Sequence, residues 1–198
     1  MSSHDAFILL RSSFSVRRLM HTLRCVRCAG HPSLTVFDNL LREGISSITN
    51  SLLSDIQWLQ ASHRIRYGGL GIRRATSLAL SAFLASAAST SDLQHGILSS
   101  CWPTPDAEYI GACASWSAKY SLPCPADDAA VSPRAWDTPA VARDLLSVWE
   151  SASTDTDKAR LTAIRAQQSS DWPFALPISA CGLRLGDEAI RNLELRLV

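Results

Sequence analysis

Between residues 35 and 60 the apolar side chains Phe37, Leu40, Leu41, Ile45, Ile48, Leu52, Ile56 and Leu59 recur at the period of an α-helix. A stripe of that length must be buried against something. The sequence offers a partner after a tight turn at Gly68-Gly69-Leu70-Gly71. A second helical pattern opens there and runs over 72–90. Its Ala75, Ala79, Ala82, Ala85 and Ala87 permit close approach, while Leu78, Phe83 and Leu84 fill an interface. The expectation is a two-helix hairpin with Ile48 and Leu52, mid-stripe, among its most buried residues. Gly44 interrupts the first helix at a cost of about 1 kcal/mol relative to Ala.

The flanking segments carry the same period. Residues 5–27 read as a helix or a broken helix, ended by Gly30-His31-Pro32-Ser33. Pro103, Pro105, Pro123, Pro125, Pro133 and Pro139 make 101–139 a loop-rich connection with one helix near 106–119. A helix over 138–151 takes Pro139 in its first turn and turns Val141, Leu145, Val148 and Trp149 inward. Thr154 to Asp157 resembles a capping box, with Asp in place of Glu, before a helix through Gln167. Asp171 to Pro177 reads as a buried loop. Asp187 and Glu188 open a last helix that carries Ile190, Leu193 and Leu197 to Val198, as in an excerpt of a longer chain. No alternating strand pattern and no fixed-period repeat appears. The fold class is mostly α: an irregular helical bundle with a proline-rich connecting loop and no substantial sheet. The expected division is a basic helical region over 1–100, the connector over 101–137 and a smaller helical region over 138–198.

Hydrophobic residues make up 46% of the 198, enough for a folded core. The net charge of +1 hides an asymmetry. Residues 1–74 hold ten arginines against four carboxylates, whereas 75–198 hold nine basic residues against fourteen acidic ones. A basic N-terminal face suits an anionic partner, and an internal dipole between two packed halves is the alternative. Seventeen of the basic residues are Arg and two, Lys119 and Lys158, are Lys. Arginine forks match phosphate and stack on bases; a GC-rich gene produces the same bias. Arg11, Arg17 and Arg18 lie within or after the first apolar run, the wrong order for a secretory signal. Residues 75–91 are uncharged but too rich in Ser and Thr for a membrane span. The chain is therefore expected to be intracellular, with its six cysteines reduced and no membrane partner.

Chemistry is sparse. Cys25, Cys28 and His31 have half of a zinc spacing, with His21 in reach as a further ligand, but no second half follows, so no metal is assigned. The glycine run fits neither a dinucleotide fingerprint nor a phosphate loop with Gly-Lys-Ser/Thr. Its amides, with Arg73 and Arg74, are still able to hold one phosphate of a strand. Asp127 and Asp128 follow Pro125-Ala126 in a loop, without the hydrophobic flanks of a polymerase hairpin. No Ser lies in a nucleophile elbow, and no cofactor or small-molecule substrate is indicated. The remaining candidates form a basic loop: His63, Arg64 and Arg66 as donors to phosphates, Tyr67 as a stacking surface, then Arg73 and Arg74.

That loop sits in a longer pattern. Trp58, Gln60, Ala61, Gly68, Gly69, Leu70, Gly71, Ile72 and Arg73, followed by Phe83-Leu84-Ala85-Ser86-Ala87, resemble the segment that follows the polymerase core in non-LTR (LINE-type) retrotransposon reverse transcriptases. Leu9-Leu10-Arg11, Leu23-Arg24, Phe37-Asp38, Leu41-Arg42, Asp55 and the stretch from Asp171 to Leu185 are similar in order and spacing. The resemblance implies a thumb-like helical region and connector that grips template and primer, RNA or RNA–DNA hybrid, weakly and without sequence preference. It implies no polymerase activity here, since the palm and its catalytic aspartates are not part of this stretch. A helical adaptor docking a partner on the Ala/Ser face of 72–90, a decayed gene fragment, and an enzyme with a dispersed site remain alternatives.

Overall fold

Capping residues decide where the helices of this chain begin and end. In the computed structural model, which describes residues 1–98, 106–166, 178, 180, 182 and 184–191, helices and turns are the elements found, with no strand among the described residues. Helix α1 (Ser3–Leu9) starts behind Ser2, whose hydroxyl accepts the Asp5 N–H. The chain then passes through a π-turn at Leu10–Phe14 and a 3-10 turn at Val16–Leu19 into α2 (Met20–Cys25). Of the two readings of 5–27, the broken helix is the one that forms. Pro32 takes the first position of α3 (Pro32–Thr49), where its missing N–H costs nothing.

The helix expected over 35–60 is two helices. Asn50 adopts φ +55°, and the Ser51 N–H reaches the Ser46 carbonyl at 3.0 Å, which closes the end of α3. Ser54 then caps α4 (Asp55–Ala61): its hydroxyl accepts the Gln57 N–H while the Gln57 side chain accepts the Ser54 N–H. Asn at a helix end and Ser-x-x-Gln at a helix start are stop and start signals that override an unbroken apolar period. The break moves Leu52 into the linker, where it is 90% exposed, and leaves Ile48 half-buried. The expectation that both lie deepest in the core is corrected. The buried face of α3 runs instead through Leu34, Asp38, Leu41, Ile45 and Thr49, with Leu40 turned outward.

Beyond α5 (Ala75–Leu98), the stretch rich in proline is more helical than expected. Asp106 caps α6 (Ala107–Tyr120) by accepting the N–H groups of Glu108 and Tyr109. A short α7 (Asp127–Ala130) leads to α8 (Pro133–Ser151). Pro133, not the first turn around Pro139, opens that helix, and Pro139 lies inside it. Proline is as suited to a helix start as to a loop, so a count of prolines misjudges this region. Thr154 caps α9 (Asp155–Arg165) as its spacing predicts, accepting the Asp157 N–H. A last turn, α10 (Asp187–Arg191), follows. The expected loop over 171–177 and the helix beyond 191 lie outside the described residues.

The chain forms two compact units by weaving rather than in sequence. Unit 1 takes 1–18, 35–74 and 143–198; unit 2 takes 19–34 and 75–142. This differs from division at 100 and 137, because α3 and α8 each lend residues to both units. The two members of the expected hairpin therefore belong to different units. Unit 1 buries Phe7, Leu41, Ile45, Leu53, Trp58, Ala61, Leu70 and Ile72 together, with a second cluster of Val148, Ala152 and Leu161 against Leu59. Unit 2 buries Phe83, Leu84, Ala85, Ala112, Trp116, Ala130 and Trp136. There the two indoles meet edge to face at 5.2 Å, and both N–H groups reach carbonyls, Trp116 to Trp136 and Trp136 to Ala130.

Candidate functional site

The loop from Ser62 to Arg74 is held to the end of α4 by its own backbone, within unit 1. The Leu70 N–H bonds the Ala61 carbonyl at 2.9 Å and the Gly71 N–H bonds the His63 carbonyl at 2.9 Å. Between them Ile65–Tyr67 makes a 3-10 turn that ends at Gly68 with φ +82°. Gly69 has no room for a side chain: a Cβ there would stand 2.3 Å from the His63 oxygen and 2.7 Å from the Gln60 oxygen. At Gly68 a Cβ would stand 2.8 Å from Ile164 Cγ2 of α9. The run of glycines thus lets the loop lie flat on α4 and lets α9 lie on the loop.

This closure decides where each side chain goes. His63, expected as an exposed donor to phosphates, is 3% exposed. Its carbonyl accepts the Gly71 N–H and lies close against Gly69. Burial, and then the positive charges of Arg73, Arg74 and Arg165, bring its pKa down to about 4, so the imidazole is neutral at pH 7. Its Nε2 is buried and has no partner among the described residues. His63 is therefore not the exposed donor that the sequence suggests.

Arg73 and Arg74 follow the last glycine and are half-buried. Arg74 forms an ion pair with Asp144 of α8 through Nη2, and its Nε is buried without an acceptor among the described residues. Arg165, at the end of α9, completes the group. Its Cγ lies 3.8 Å from where a Gly68 Cβ would be, and its guanidinium carbon stands 5.9 Å from the centre of the Trp149 ring. Burial lowers the Arg165 pKa below its usual value. Its Nε and Nη2, which form one edge of the guanidinium, are both buried without an acceptor among the described residues. Each such donor costs about 1–3 kcal/mol when left unmet.

The rest of the expected set is not among the charges that act on His63. Arg66 is exposed, its guanidinium carbon 4.6 Å from the centre of the Tyr67 ring and its Nη2 donating to the Tyr67 hydroxyl at 2.8 Å. Arg64 is half-buried, and its carbonyl accepts the Tyr67 and Gly69 N–H groups. The loop therefore presents an exposed Arg66 against a half-buried Tyr67 and, separately, brings the charges of Arg73, Arg74 and Arg165 to bear on His63. No signal near the loop points to Arg165, Trp149 or Asp144, which lie 70 or more positions further along.

Elsewhere the Cys25 thiol lies 3.8 Å from His21 Nε2, while His31 Nδ1 accepts the Ser33 N–H and so acts as a local cap. No three His, Cys, Asp or Glu side chains are grouped to hold a metal ion among the described residues. Asp127 begins α7 and Asp128 is exposed on it, so this pair stands on a helical turn and not in the expected loop. No helix among the described residues is long and apolar enough to cross a membrane. Comparison with protein-family models, with curated proteins and with solved structures yields no match to this chain.

Proposed function

We propose that this chain is a non-catalytic, nucleic-acid-contacting helical segment, similar in role to the thumb and connector that follow the palm in non-LTR reverse transcriptases. The observation that carries the reading is the exposed Arg66 set against the half-buried Tyr67 ring, on a loop that continues into Arg73 and Arg74. A guanidinium held over a tyrosine ring offers a charged and a stacking surface together, the combination that single strands use. Phosphates of a strand are its partners, RNA or RNA–DNA hybrid, with no base read and no cofactor used. On α5, Ala75, Ala79, Ala82 and Ala85 are buried and Ala87 is half-buried, so less of the Ala/Ser face is open to a protein partner than an adaptor would use.

Anisotropy titrations with a labelled single-stranded RNA and a hybrid duplex, across a range of salt, test the reading. Affinity is expected to fall with salt. On a single strand the slope should shrink by about 0.7 for each phosphate that a variant no longer neutralises. Arg66→Ala and Tyr67→Ala should each weaken binding while leaving the circular dichroism unchanged. Absence of binding at low ionic strength, or affinity indifferent to both substitutions, overturns it.

A further inference from the structure

We propose that His63, Arg74 and Arg165 form a binding site for a single tetrahedral oxyanion of the phosphate type. Three observations on unit 1 point there. First, a set of buried nitrogens has no hydrogen-bond partner among the described residues: Nε2 of His63, Nε of Arg74, and Nε with Nη2 of Arg165. Buried polar groups are normally satisfied, so a group of unmet donors marks a ligand that brings acceptors. Second, the two unmet atoms of Arg165 share one guanidinium edge, the edge that grips an oxyanion through two parallel bonds. Third, the donors are held in place. The Trp149 ring faces Arg165, the Asp144 carboxylate fixes the other end of Arg74, and the glycine-closed backbone pins His63.

The charge selects the ligand. The positive charges of Arg73, Arg74 and Arg165 all act on the imidazole, and Asp144 offsets part of that charge through Arg74. A cation is repelled. A planar carboxylate is satisfied by the Arg165 edge and leaves the donors from α4's loop unmet, whereas a phosphate has oxygens for both. His63 Nε2 meets such an anion as an N–H donor, and the anion in turn favours a second proton on the ring. The site deepens the nucleic-acid reading and rests on it only for the source of the phosphate, a strand's phosphodiester as against the free ion.

The test follows the His63 ring proton by NMR in the full chain at pH 5.5, where the unliganded ring is neutral. Inorganic phosphate is expected to move the signal saturably towards the protonated position, and chloride at equal ionic strength is not. Arg165→Gln should weaken phosphate binding roughly tenfold or more, because a charged two-bond grip is removed. Arg165→Lys, which keeps the charge and loses the edge, should also weaken it, and Arg66→Gln should not. No saturable, phosphate-specific shift overturns the proposal, as does undiminished affinity in both Arg165 variants or an equal loss in Arg66→Gln. A short oligouridylate in a parallel anisotropy titration separates the two readings. If the oligomer binds and phosphate leaves His63 unmoved, the site is wrong and the nucleic-acid reading stands. If phosphate moves His63 and the oligomer fails to bind, the site stands with the free ion as ligand and the nucleic-acid reading falls.

Discussion

His63 ties the stability of this protein to pH through burial. Its folded-state pKa of about 4 lies below the unfolded value near 6.5, so between those values the unfolded chain binds more protons. Stability contributed by the neutral ring is therefore complete above pH 6.5 and is lost as the pH falls towards 4. The ceiling is on the order of 3 kcal/mol. His4, buried and also shifted downward, acts in the same sense. His63→Gln keeps an amide near the Nε2 position and removes the titration. Its melting temperature should fall less steeply than the parent's between pH 6.5 and 4.5, and parallel acid slopes would contradict this assignment. Glycine positions make a second test at this scale. Gly69→Ala puts a Cβ into two carbonyl oxygens that cannot move aside, so a loss of about 3 kcal/mol or more is expected. Gly71, at φ +77°, has ordinary space around it, and Gly71→Ala should cost about 1–2 kcal/mol from backbone strain alone. Gly96, in α5 with nothing near it, should gain about 1 kcal/mol as Ala. Thermal melts that rank these three in any other order refute the packing described for the loop.

At the scale of elements, the end of α3 decides more than its stripe does. A continuous helix over 35–60 would bury Leu52; the break at Asn50 and restart at Ser54 expose it and send Leu53 and Trp58 inward instead. Leu52→Ala should then change stability by no more than about 0.5 kcal/mol. Ile45→Ala, in the buried face of α3, should cost about 2–5 kcal/mol through lost transfer energy and a cavity. Ser54→Ala removes half of the capping box and should cost about 1 kcal/mol. Urea titrations of the three variants distinguish the two pictures, since an unbroken helix predicts a large effect at Leu52 and none at Ser54.

On the scale of the whole molecule, the weave of the two units sets what can be cut apart. Unit 2 needs α2, whose Leu23 is fully buried, together with α5 to α7 and the first turns of α8. A peptide spanning 75–142 lacks α2 and should show much less helix by circular dichroism than the same residues contribute in the full chain. Recovery of the full signal by 75–142 alone would mean that α2 is dispensable. Local chemistry in the sequence determined the helical class, the α6 span, the start of α9 and the Thr154 cap, because period and capping act over a few residues. The basic loop and its glycine turn were legible for the same reason, as were Arg66 and Tyr67 as neighbours. Asn50 and Ser54-x-x-Gln57 were equally readable, and it was the strength of the apolar period that hid them. Tertiary structure alone decided that His63 turns inward, that Asp144 comes to Arg74 and that Arg165 comes to Gly68. Those placements depend on α8 and α9 folding back on a loop 70 or more residues earlier, and burial is a property of what covers a residue, which no local pattern encodes.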